Sequence, residues 1–326
     1  MTRLPAALAA LAVMSSAIAF DLQGHRGARG LAPENTLPAF ARALSIGVTT
    51  LELDVGITAD GVVVVHHDRQ LNPDVARGTD GRWLRAPTRA LRELTFHELQ
   101  RYDVGRIRPG SDYSKRFPDQ RKRDGVRIPK LADVFELARH ARNDEVRFNV
   151  ETKLSPEAPD ETLGPEEFAR TLIRAIRDGG MEARTTVQSF DWRTLAVVQR
   201  EAPKIATSYL SSQGAGLDNI GAGLQEASPW TAGVRFRDHG SVPKMVKAAG
   251  GAIWSPNYRD LDEALVKEAR GLGVKVLPWT VNDPAEMERL IGWGVDGMIT
   301  DRPDRLRDVL AAKGLPLPKP TPVVVP

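Results

Sequence analysis

The chain contains no cysteine, which excludes disulfides, thiolate metal sites, catalytic thiols and a lipid-modified N-terminal cysteine. Neither sign of charge dominates. Lys+Arg 45 against Asp+Glu 42 gives a formal charge of only +3, and nothing in that balance demands nucleic acid. Beyond the extreme N-terminus there is no apolar run near the ~20 residues that a membrane span requires, so no stable membrane insertion is expected. No G-x-G-x-x-G opens a helix after the first strand candidate, which argues against a dinucleotide site.

The 326 residues are 41% hydrophobic and 27% charged, enough for one large domain or two average ones. The start is distinctive. Arg3 precedes an apolar stretch from Leu4 to Met14, and Ser15-Ser16-Ala17-Ile18-Ala19 follows in the A-x-A manner of a secretory leader. Residues 1–19 are therefore expected to be a signal peptide cut after Ala19, placing the mature protein outside the cytoplasm, in the periplasm of a source with an outer membrane.

From Leu22 onward, short apolar runs alternate with helical patterns, as in parallel β/α architecture. The strand candidates are Leu22–His25, Thr49–Ile57, Val146–Lys153, Thr185–Phe190, Ile205–Leu210, Ala252–Ser255, Val274–Val281 and Gly297–Thr300. Eight is the number that closes a TIM-type (β/α)8 barrel. Helices fit between them, for example over Leu37–Ser45 and Pro165–Arg177, and Asp283-Pro284 reads as a helix start. The barrel is expected to fill residues 20–314.

Two connections exceed ordinary βα-loop length. An excursion over about 69–129 contains Arg101–Arg127, with nine basic and four acidic residues together with Tyr102, Tyr113 and Phe117. It is either a solvated surface excursion or a lid over an anionic substrate. Ser211–Ser241 is Gly-containing and could line the same face. The Pro-rich end, 315–326, is expected to be extended or disordered.

Polar residues of one parity in a buried strand need an explanation. In "TTLELDVGIT", Glu52 and Asp54 share a face opposite Leu51, Leu53 and Val55. In "RFNVETK", Asn149, Glu151 and Lys153 share a face opposite Phe148 and Val150. Three carboxylates converging at the C-terminal rim imply a bound divalent cation or a cationic substrate, and an all-oxygen set suits one Ca²⁺ or Mg²⁺ better than zinc. The alternative is an internal ion-pair network with Lys153 and Arg26.

Histidines form the second constellation. Asp60-Gly61 in "ADGVVVVHHD" reads as a two-residue hairpin turn. Pairing about it sets His67 across from Asp54, give or take one position, with His66 pointing elsewhere. His25 ends the first strand candidate with Arg26 beside it among small residues, in "GHRGARG". Two imidazoles flanking one site suit general base and general acid chemistry near neutral pH. Arg26 and Lys153 could stabilise phosphoryl oxygens. His97, His140 and His239 lack such context.

In order, "HRGARGLAPENT", "ELDVGITADGVVVVHHD", "NVETK", "VQSFDW", "LPWTVND" and "DGMITDRPD" make the chain resemble the glycerophosphodiester phosphodiesterase family from Gly24 to Pro303. The resemblance implies that His25 and His67 are the acid/base pair, that Glu52, Asp54 and Glu151 hold the metal, and that Arg26 and Lys153 contact phosphate. It also implies that Asn35, Gln188, Phe190 and Trp279 line the substrate pocket. The implied reaction is metal-dependent hydrolysis of a small glycerophosphodiester to sn-glycerol 3-phosphate and an alcohol.

Two other readings compete. One is a lysophospholipase D or phospholipase-type enzyme acting on membrane lipid, which would need an exposed apolar rim that the basic stretch lacks. The other is a non-catalytic periplasmic glycerophosphodiester-binding protein, which would have no need of two flanking imidazoles. The paired H-x-H of amidohydrolase-type barrels is absent.

Overall fold

The computed structural model describes residues 20–325, so the leader-like segment 1–19 lies outside the described residues. All eight expected barrel strands form. They are β1 (Asp21–Gly24), β2 (Thr50–Ile57), β4 (Arg147–Thr152), β5 (Thr185–Ser189), β6 (Ala206–Ser211), β9 (Ile253–Pro256), β10 (Lys275–Val276) and β11 (Gly297–Thr300). The remaining strands, β3 (Val63–Val65), β7 (Gln213–Gly214) and β8 (Leu217–Asp218), lie in hairpins outside the barrel wall. Neighbouring barrel strands are parallel, in the order β10-β9-β6-β5-β4-β2-β1-β11. Backbone hydrogen bonds from Asp296 N to Val276 O and from Ile299 N to Pro278 O, both 3.0 Å, bridge the last gap. β10 is much shorter than expected because Pro278, lacking an N–H, interrupts the regular ladder.

The longer helices each bury one stripe on the barrel. In Pro165–Asp178 the buried positions Phe168, Leu172, Ile173 and Ile176 recur at helical spacing. Asp283 starts Pro284–Trp293 as expected, its carboxylate accepting from Ala285 N and Glu286 N at 2.9 and 3.2 Å. Inside the barrel, Asn149 donates to Gln23 and Gln188, both at 2.8 Å, and Gln188 donates to Glu52 at 2.7 Å. This polar chain satisfies buried amides that would otherwise be costly, and it ends on a carboxylate of the site.

The excursion after β3 is a folded insertion with its own small core, including Leu71, Leu91, Leu94, Leu99 and Ile128. It docks on the barrel rim through the Arg302–Asp119 ion pair at 2.7 Å and a hydrogen bond from Gln120 to Arg29 O at 2.7 Å. The connection after β6 forms the β7–β8 hairpin and a helical turn, Phe236–His239, and supplies none of the described residues that line the central cavity.

Of the two alternatives expected for the end of the chain, the extended one is what the structure has. Residues 315–325 are extended but docked: Thr321 N donates to Leu44 O at 2.9 Å, Arg307 to Pro318 O at 2.7 Å, and Leu315, Val323 and Val325 pack on the core. Disorder is not what these contacts describe.

Candidate active site

The site sits at the C-terminal ends of β1, β2, β4 and β5, where strand parity brings polar side chains together. Register sets Asp54 beside Glu151 and Glu52 beside Asn149, while Glu151 neighbours Gln188. One oxygen from each of Glu52, Asp54 and Glu151 lies within 4.8 Å of the others, and all three residues are buried.

The loop after β1 is shaped by close approach. A Cβ on Gly24 would meet Gly27 O at 2.1 Å, and one on Gly27, whose φ is +85°, would meet backbone of Ala39 at 2.6 Å. Arg26 (φ +50°) and Asn35 (φ +54°) take left-handed backbone that non-glycine residues seldom adopt. That turn lets Arg26 N–H donate to Glu52 Oε2 at 2.8 Å.

Both cavity histidines are oriented through Nδ1. His25 Nδ1 is 2.7 Å from Asp301 Oδ1, and His67 Nδ1 is 2.7 Å from Asp68 Oδ1. His25 Nε2 lies 3.9 Å from Glu52, and His67 Nε2 lies 3.0 Å from Lys153 Nζ. Burial, with Arg29 and Arg26 adding to it, brings His25 down from 6.5 to about 4, so its ring is neutral near pH 7. Burial, Arg26 and Lys153 likewise hold His67 well below its ordinary value.

The hairpin register differs by one from the two-residue turn expected. Val55 pairs with Val65 and Ile57 with Val63, which places three residues, 59–61, in the loop and His66 next to the Asp54 backbone. The ladder ends at Val65, and beyond it the chain still carries His67 into the site. His66 is buried away from the cavity.

The ion-pair alternative is partly realised. Lys153 Nζ lies 2.7 Å from Glu151 and 3.7 Å from Asp54, and Arg26 Nε lies 3.3 Å from Asp54. Yet the network does not satisfy itself: Asp54 Oδ1 and Arg26 Nε are buried without hydrogen-bond partners. Burial and the neighbouring carboxylates push Glu52 well above the usual carboxylate range. Burial raises Glu151 to about 7, Asp54 adding to it against Lys153. Asp54 is the exception; burial would raise it, but His67, Lys153 and Arg26 hold it low. An orphaned carboxylate oxygen amid crowded, all-oxygen donors fits a hard divalent cation.

His25, Arg26, Glu52, His67, Glu151, Lys153, Gln188, Phe190 and Trp279 all line one cavity of about 310 Å³. Phe190 and Trp279 meet edge to face, ring centroids 5.3 Å apart. Asn35 does not line it, which corrects the expectation of a pocket residue. Its amide instead donates to Asp54 Oδ2 at 2.8 Å and its carbonyl accepts from Asp54 N at 3.3 Å, so it orients a carboxylate of the triad.

The model of the glycerophosphoryl diester phosphodiesterase family matches residues 25–305. The chain belongs to that family. A glycerophosphodiester phosphodiesterase from Caldanaerobacter subterraneus subsp. tengcongensis is 32% identical over 294 residues, 89% of this chain and 97% of that protein. A crystal structure from Silicibacter pomeroyi DSS-3 is 37% identical, with a TM-score of 0.78 over 90% of this chain and 93% of that one. An Oleispira antarctica phosphodiesterase, solved in complex with the product sn-glycerol-3-phosphate, shares the fold at 21% identity, with a TM-score of 0.63 over 89% of this chain and 96% of that one.

Against this family background, residues that sequence reasoning did not single out come into view. Asp301 accepts from Arg29 at 2.8 and 3.1 Å and from Asn282 at 2.7 Å while it orients His25. Arg29, Glu34, Asp68, Asn282 and Asp301 all stand inside the recognised motifs, but no local pattern reveals a pairing 276 positions apart. Tyr113 and Arg116 bring the insertion to the cavity, which favours the lid over the plain surface excursion.

Proposed function

We propose that this protein hydrolyses glycerophosphodiesters to sn-glycerol 3-phosphate and an alcohol, with His25 and His67 as the acid/base pair. The observation that carries the reading is the convergence in one cavity of two histidines, each oriented through Nδ1 by a carboxylate, beside a buried carboxylate triad. Glu52, Asp54 and Glu151 would hold one divalent cation, Ca²⁺ or Mg²⁺. When bound, that ion supplies Lewis-acid stabilisation of charge on phosphoryl oxygens.

Hydrolysis breaks one P–O bond and forms another. One imidazole accepts the proton of the attacking oxygen, from water or from the substrate's own glycerol hydroxyl; in the latter case a cyclic phosphodiester forms first, and water then opens it by forming a second P–O bond as the bond to the attacking glycerol oxygen breaks. The other returns a proton to the departing alkoxide. His25 is suited to accept, since burial and two arginines keep it neutral. His67 takes up its proton more readily once a phosphoryl anion offsets Arg26 and Lys153. Arg26 and Lys153, already anchored on the triad, add positive charge where the phosphoryl group sits.

A volume of about 310 Å³ is at the small end for ligand sites and suits deacylated diesters better than acylated lipid. The leader-like first nineteen residues support a location outside the cytoplasm. A panel of glycerophosphocholine, glycerophosphoethanolamine and lysophosphatidylcholine, with glycerol 3-phosphate and lysophosphatidate as readouts, tests the reading. Turnover confined to the lysolipid would replace it with lysophospholipase D activity. Tight binding of every diester without release of product would replace it with the binding-protein reading.

A further inference from the structure

Besides the histidines, four cationic side chains line the cavity: Arg26, Arg29, Lys153 and Arg116. Three are committed to carboxylates. Arg26 lies 2.7 Å from Glu34, Arg29 meets Asp301 through hydrogen bonds of 2.8 and 3.1 Å, and Lys153 lies 2.7 Å from Glu151. Arg116 differs. Its side chain is exposed and lies over the rings of Tyr113 and Phe117, each centroid 5.7 Å from its guanidinium carbon. Among the described residues, that guanidinium has no ion pair and no hydrogen bond.

The segment that presents Arg116 is held firmly. Ser111 Oγ caps the short helix Asp112–Arg116 by accepting from Ser114 N at 3.1 Å. Tyr113 donates its hydroxyl to Glu34, and the same oxygen lies 3.5 Å from Arg26 Nη1 and 3.4 Å from Arg29 Nη1. Phe117 is buried, edge on to Tyr113 at 5.1 Å, with the Arg29 guanidinium 4.6 Å from its centroid. A guanidinium without a carboxylate partner keeps its full charge for whatever enters the cavity, and its docked backbone leaves only its own side-chain rotamers to be fixed on meeting an anion.

We propose that Arg116 is a substrate-binding residue that meets the negative charge of the phosphodiester at the cavity mouth, and that Tyr113 is the positioning residue that holds it there. The inference rests on the hydrolytic reading above and adds a contribution of the insertion to substrate affinity. Because the contact is at an exposed rim, its effect falls on binding more than on chemistry.

The test combines steady-state kinetics on glycerophosphocholine with calorimetric titration of sn-glycerol 3-phosphate into cation-loaded protein, for wild type, Arg116→Ala, Arg116→Lys, Tyr113→Phe and the Arg116→Ala/Tyr113→Phe double variant. Arg116→Ala is expected to lower kcat/KM about tenfold, carried by KM, and to raise the glycerol 3-phosphate dissociation constant to match, as for one charge-assisted contact partly screened by solvent. Arg116→Lys recovers part of both losses, and added salt weakens binding more steeply in wild type than in Arg116→Ala. The double variant is no worse than Arg116→Ala alone.

Unchanged KM and product affinity in an active Arg116→Ala enzyme would overturn the assignment while leaving the hydrolytic reading intact. Additive losses in the double variant would remove the positioning role of Tyr113. If wild type turns over no diester, the hydrolytic reading falls, and the titration alone then decides whether Arg116 binds the anion.

Discussion

Cation binding at the triad should depend steeply on pH, because at least one of its ligands must lose a proton to bind. Glu151 is raised from 4.5 to about 7 in the cation-free protein, and Glu52 is likewise held well above the usual carboxylate range by burial and by Asp54 and Glu151. The sign follows directly. Below about pH 7 Glu151 is mostly protonated, a cation needs the carboxylate, and affinity therefore falls as pH falls. Between about pH 8 and about pH 6 the ionised fraction of Glu151 drops about tenfold, so the dissociation constant rises by at least that factor, with Glu52 adding to it.

At about pH 7, binding should release about half a proton from Glu151 alone. Calorimetric titration of Ca²⁺ or Mg²⁺ in buffers of different ionisation enthalpy reads both quantities, and Glu151→Gln should weaken binding while flattening its pH dependence. The same shift acts on stability without the cation: the contribution of Glu151 is fully present below 4.5 and is lost as pH rises through about 7. An affinity that changes less than about threefold over this pH range, with no proton released, would refute the assignment of these carboxylates as the ligands.

Three further outcomes follow from the geometry. Asp301→Asn leaves His25 without its carboxylate partner, so kcat should fall by about 10² or more with the fold retained, read by steady-state kinetics beside circular dichroism. Asn35→Ala removes the amide that orients Asp54, so cation affinity should weaken about 10- to 100-fold while KM at saturating cation stays near wild type. A raised KM with intact cation binding would instead restore Asn35 to the substrate pocket. Phe148→Ala empties a fully buried position packed edge on to Phe135 at 4.8 Å, and it should cost about 3–5 kcal/mol in urea unfolding, a loss that free collapse of the core around the gap would reduce below about 1 kcal/mol.

The barrel was legible because strand parity is a local property. Glu52 and Asp54 stand out in β2 since they break an apolar run at alternate positions, and β4 repeats the pattern with Glu151 and Lys153. Where the reading slipped, the deciding forces were local chain geometry or distant contacts. The Asp60-Gly61 turn takes a third residue, which shifts the register by one. Asn35 faces Asp54 only because the loop from Arg26 folds back in left-handed backbone. The Pro-rich end has no hydrogen-bonding pattern of its own, and its docking depends on Leu44, Asn143 and Arg307, supplied from elsewhere in the fold. Tyr113 and Arg116 are ordinary members of a basic stretch until the insertion folds them onto the rim.

The central claim, that the triad and the two histidines form one hydrolytic centre, is tested most directly by glycerol 3-phosphate release from glycerophosphocholine. The assay compares wild type, His25→Ala and His67→Ala, each with EDTA and with Ca²⁺ or Mg²⁺ restored. The account predicts release by wild type that EDTA abolishes and the cation restores, and no restoration in either histidine variant. Release that survives both EDTA and loss of either imidazole would contradict it.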